Sequence, residues 1–173
     1  MSYGSKLLRG FLLSYGGLMA SAIFYSYFFA RSSVMAAETP TLFHGLIVAP
    51  SEEMFFRFFV PLLLMYVGIP YLAGACLISS VLFGVAHWWA YGGNTYALMS
   101  AITSGAVNGF VVYYYSGREP FNFSPGLLCA ILGHMAYNVT VTYIPQYIMY
   151  LAIIILLLYG WLETVAQIKP AND

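Results

Sequence analysis

Apolar residues in this chain gather into six long runs separated by short polar interruptions. The runs cover Phe11–Ala30, Leu42–Val67, Tyr71–Tyr91, Thr95–Ser116, Ser124–Tyr143 and Gln146–Val165. Each has roughly the 20 residues that a helix needs to cross ~30 Å of hydrocarbon. The pattern predicts an all-α, polytopic membrane bundle of about six transmembrane helices, forming one integral membrane domain over residues 1–173. Short connections at YGGN (91–94) and Pro145 suit antiparallel neighbours. The first run has the stretch ASA at 20–22, which mimics a signal-peptide cleavage site. It continues through FYSYFFA, too long for an ordinary signal h-region, and reads as an anchor.

Composition reinforces this picture. The chain is 61% hydrophobic, 18% aromatic and 7% charged, with a mean hydropathy of +0.79, whereas soluble domains carry about a quarter charged residues. A formal net charge of zero and the lack of any Lys/Arg run exclude nucleic acid as a partner. Lys6, Arg9, Arg118 and Lys169 fall in loops on one side and Arg31 on the other. That excess puts both termini on the cytoplasmic side, with the cell membrane as the expected location. Cys76 and Cys129 lie within apolar runs, where a free thiol packs as a small hydrophobe.

Against this background, SEEMFFR at 51–57 demands an explanation, because a carboxylate at bilayer depth persists mainly where it is paired or lines a wet cavity. If Pro50 kinks or divides the second run and Ser51 caps a new helix, both carboxylates stand in its first turn. Glu53 and Arg57 are then four apart on one face, acid before base, and form a pair turned away from the centre. Glu52, about 100° around the helix, is left to point into the bundle. His87 near the end of the third run, and His134 with Asn138 at i and i+4 in the fifth, supply further intramembrane polar groups. At ~1.5 Å per residue along alternating helices, Glu52, His87 and His134 come within about 10 Å of a common height. His44 is expected at the interface, as are the aromatics WW at 88–89 and YYY at 113–115.

EEMFFR, FGVAH and HMAYN, in that order, have the forms E-E-x-x-x-R, F-x-x-x-H and H-x-x-x-N. Together they resemble the CAAX protease and bacteriocin-processing (CPBP) family of intramembrane proteases, over about residues 45–145. The stretch REPFNFSPG before the last motif is longer than that family's usual turn. The resemblance implies an endopeptidase acting on a membrane-associated or prenylated peptide or protein. In it Glu52 is general base to a water, His87 helps to hold that water, and His134 and Asn138 donate to the oxyanion, with Glu53 and Arg57 as supporting residues. No cofactor is favoured. Zinc held by Glu52, His87 and His134 is the alternative, set against a shortage of acidic acceptors for the second ring nitrogens. The lipid bilayer and the substrate are the expected partners. The rival reading is a non-catalytic accessory or assembly subunit of a membrane complex, which would add other membrane subunits as partners.

Overall fold

The computed structural model describes residues 2–29, 42–90, 92–116, 125–144 and 147–168. These residues form helices α1 (Tyr3–Phe29), α2 (Leu42–Glu53), a π-helical segment (Met54–Phe59), α3 (Val60–Tyr66), α4 (Leu72–Ala86), α5 (Thr95–Tyr115), α6 (Pro125–Tyr143) and α7 (Ile148–Ile168). Counting α2, the π segment and α3 as one rod gives the six expected helices, with no strand among the described residues. Among the described residues, three stretches are long and apolar enough to cross a membrane by themselves: Tyr3–Tyr27, Thr95–Tyr115 and Ile148–Ala166. α4 is shorter, and the α2 rod and α6 carry the polar residues that lower their apolarity.

Two expectations about the second rod fail. Pro50 sits inside α2 without dividing it, and Ser51 caps nothing, because its hydroxyl bonds back to the Ile47 carbonyl one turn earlier. Glu52 and Glu53 therefore close α2 instead of opening a helix, and the N-terminal dipole does not act on them.

The π segment has a local cause and a structural consequence. The Val60 N–H bonds to the Phe55 carbonyl, five residues back, instead of to Phe56. In the same register Phe56 would receive the next N–H, but residue 61 is proline and has none. Its carbonyl instead accepts the Ser79 hydroxyl from α4 and Arg57 Nη1 at 3.3 Å. That bond pins α4 against the π segment, and Phe83 and His87 follow Ser79 at i+4 and i+8 on the same helical face.

α1 is the hub of the bundle, packing against α5, α6 and α7, while α4 packs on α5 and α2 on α6. Small residues allow the close approaches. A side chain at Gly133 of α6 would overlap Ser14 of α1, and a Cβ at Gly17 would come 2.6 Å from Val107 of α5. Within the YYY stretch, Tyr115 is buried between α1 and α6 while Tyr114 is exposed. Arg9, counted above as a loop charge, belongs to α1 and pairs with Glu163 of α7.

Candidate functional site

Three of the sequence-predicted residues meet directly. Glu52 at the end of α2 places Oε1 at 3.1 Å from His87 Nε2 and Oε2 at 3.8 Å from His134 Nε2. His87 caps the C-terminus of α4, and His134 lies midway along α6. Asn138, one turn beyond His134, lines with both histidines a cavity of about 90 Å³. Leu18 of α1, Ser104 and Asn108 of α5, and Tyr137 of α6 form other parts of its wall.

The second nitrogen of each imidazole is fixed by a different acceptor. His87 Nδ1 stands 2.7 Å from the Phe83 carbonyl, which can only accept, so Nδ1 carries the proton. His134 Nδ1 donates to Glu53 Oε1 at 2.8 Å. In neutral rings both Nε2 atoms are therefore lone pairs directed at Glu52. The 3.1 Å contact between His87 and Glu52 then needs one shared proton, carried either by the ring or by the carboxyl.

Glu53 is not turned away. Besides His134 it accepts Asn108 Nδ2 at 2.9 Å on Oε1, and its Oε2 lies 3.3 Å from Arg57 Nε, so the expected i, i+4 pair does form. Glu53 and Arg57 are 1% and 3% exposed, which makes this a buried charge pair whose carboxylate needs each of those contacts. The Arg57 guanidinium also lies over the Phe83 ring, 4.8 Å from its centroid. Here the expected division of labour is partly reversed. Glu53 and Arg57 stand in the cavity wall, and Glu52 reaches the cavity through the two imidazoles. The physical reason is that Asn108 of α5 and His134 of α6 present donors to Glu53 from other helices, which spacing along its own helix does not reveal. Glu52 nevertheless remains the less engaged carboxylate, with a side chain 21% exposed against 1% for Glu53.

Sequence reasoning missed Asn108, 1% exposed, and Ser14, 0% exposed, whose hydroxyl donates to Asn108 Oδ1 at 2.7 Å. The available signal for Asn108 was an amide inside an apolar run, flanked at i−3 and i+1 by the glycines of GAVNG. The side chain of His44 and the stretch REPFNFSPG, apart from its last two residues, lie outside the described residues.

For a metal, the donor types suit zinc, and the supposed shortage of acceptors does not hold, because Phe83 and Glu53 occupy both Nδ1 atoms. Yet the described His, Cys, Asp and Glu side chains form no group of three positioned to hold an ion. The two Nε2 atoms approach different oxygens of Glu52 at unequal distances.

A family model described as type II CAAX prenyl endopeptidase, Rce1-like, matches residues 35–140. That span contains EEMFFR, FGVAH and HMAYN. The chain belongs to this family. It is thus an integral membrane protein of a protease family, and α1 and α7 flank the matched region. No curated protein and no solved structure matches the chain.

Proposed function

We propose that this protein is an intramembrane endopeptidase that cleaves a membrane-associated peptide, a prenylated C-a-a-X peptide being the substrate that the family's description suggests. The observation that carries the reading is the meeting of Glu52 with the Nε2 atoms of two histidines from different helices, each held by its other nitrogen. A purely structural ion network would have no use for two fixed imidazoles beside a cavity.

In this reading Glu52 is the general base. Its oxygens are less engaged than those of Glu53. A water entering between Glu52 and His87 Nε2 in place of their direct 3.1 Å contact would pass a proton to the carboxylate as its oxygen attacks the scissile carbonyl, and Glu52 would return that proton to the amide nitrogen as the C–N bond breaks and the amine leaves. The developing oxyanion is met from α6. Asn138 donates from its amide, and His134 donates from Nε2 when that nitrogen carries a proton, its Nδ1 being held by Glu53. Glu53 and Arg57 hold this arrangement without touching substrate.

The mechanism needs no metal. Purified protein reconstituted in lipid vesicles should cleave a farnesylated C-a-a-X peptide and keep its rate in the presence of a strong chelator. Stoichiometric zinc lost together with activity, and restored with it, would reassign Glu52, His87 and His134 as ligands. The accessory-subunit reading gains from the large apolar surface of α7, where Ile154, Leu157 and Trp161 are exposed. It would be favoured if the reconstituted protein cleaved nothing and the Glu52→Gln variant lost a copurifying membrane subunit.

A further inference from the structure

The orientation of His134 depends on a chain of hydrogen bonds that leaves the motif-bearing helices and ends on α1. Ser14 donates to Asn108 Oδ1 at 2.7 Å, Asn108 Nδ2 donates to Glu53 Oε1 at 2.9 Å, and the same oxygen accepts His134 Nδ1 at 2.8 Å. The direction of the chain is set by chemistry. Glu53 next to Arg57 can only accept, so the Asn108 amide must turn its NH2 toward Glu53 and its oxygen toward α1. That oxygen is buried and would cost free energy without a donor, and Ser14 supplies one.

The placement of Ser14 is itself tightly constrained. Gly133 is the residue just before His134, and any side chain there would overlap Ser14 Oγ and press on the Tyr15 backbone N. Below this contact, Tyr15 and Thr140 share a hydrogen bond between α1 and α6, and Ser21 bonds to the Ser100 carbonyl of α5 at 3.3 Å. These contacts fix the depth and rotation of α1, and Leu18, one turn after Ser14, closes the cavity wall. The family match begins at residue 35, so the α1 side of these contacts lies outside it.

We propose that Ser14 and Asn108 are positioning residues for His134, and that α1 is a working part of the site instead of a membrane anchor alone. Asn108 holds the carboxylate that holds the ring, and Ser14 holds the amide. The consequence for turnover rests on the protease reading, whereas the consequence for the ring does not.

The test uses the full chain in lipid nanodiscs with nitrogen-labelled histidine, comparing Ser14→Ala and Asn108→Ala with the parent. The Nδ1 proton resonance of His134 should shift or be lost to exchange in both variants. That of His87, held by the Phe83 carbonyl within its own helix, should stay and serves as the internal reference. On a farnesylated C-a-a-X peptide, kcat should fall about tenfold for Ser14→Ala and about a hundredfold for Asn108→Ala, with KM unchanged, as for other residues that orient a catalytic imidazole. If Asn108→Ala does not fold, Ser14→Ala decides, since it removes one oxygen and adds no bulk. A His134 resonance that stays in place, or one that moves only together with that of His87, overturns the proposal. Full activity of a Glu52→Gln control would instead sink the protease reading and leave the resonance result standing.

Discussion

Two charge clusters are embedded in this apolar bundle, and they use the same residue types to different ends. Arg9 and Glu163 join the start of α1 to the end of α7 at 3.3 Å. Arg9 Nη2 also donates to the Leu162 carbonyl, and the Tyr115 hydroxyl donates to the other oxygen of Glu163. Each carboxylate oxygen is engaged, and among the described residues the cluster contains neither a histidine nor a second carboxylate. The Glu53–Arg57 pair is more deeply buried, but its neighbour Glu52 is left outside the pair and faced by two imidazoles. A buried ion pair is therefore not the mark of a site in this protein. The mark is an additional carboxylate that the pair does not neutralise, next to groups that can exchange protons.

If that distinction is right, substitutions in the two clusters should fail in different ways. The largest effect belongs to the imidazoles. Replacing His87 or His134 by Ala should lower kcat by about a hundred- to ten-thousand-fold, the range associated with a positioned acid–base group, while the protein still inserts and melts as a folded bundle. A loss confined to KM would mean that the rings bind substrate without taking part in the chemistry.

Next comes Arg57→Ala. It leaves Glu53 as a buried carboxylate without its cation and should cost ~3–5 kcal/mol of stability, read from thermal or denaturant unfolding in detergent. An unchanged melting temperature would show that His134 and Asn108 suffice to hold Glu53 and that the pair contributes little.

The smallest effect is expected at the other cluster. Glu163→Gln removes a charge from a pair whose side chains are 10% and 26% exposed but keeps an amide oxygen to accept from Arg9, and should cost less stability than Arg57→Ala with no change in kcat. A loss of turnover at unchanged stability would erase the functional contrast between the two clusters.

Much of this organisation was legible before any coordinates. The apolar runs gave six helical rods with ends within a few residues of those observed, except that α1 begins at Tyr3 and α4 ends at Ala86. The i, i+4 spacing gave the Glu53–Arg57 pair, and depth along the helices brought Glu52, His87 and His134 together. What stayed hidden depended on partners from other helices. Ser14 and Asn108 are single small polar residues in apolar runs, and neither has meaning until α1 and α5 are packed. Glu53 reads as turned away because Asn108 and His134, which hold it in the cavity wall, come from other helices, and Pro50 reads locally as a break. In the packed bundle, Gly45 against Asn138 and the Ser51 back-bond accompany a helix that continues through it. The π register at Met54–Phe59 was likewise invisible, since it follows from Pro61 together with a hydroxyl from α4.

Activation of a water by Glu52 for peptide hydrolysis can be read in one comparison. The direct measurement places purified parent and Glu52→Gln protein side by side in lipid vesicles with a farnesylated C-a-a-X peptide, with products identified by mass spectrometry and folding checked by melting. The expected result is cleavage by the parent and about a thousand-fold less by a Glu52→Gln protein that melts at the parent's temperature, about what loss of an essential base costs. Equal cleavage by the two proteins would contradict it.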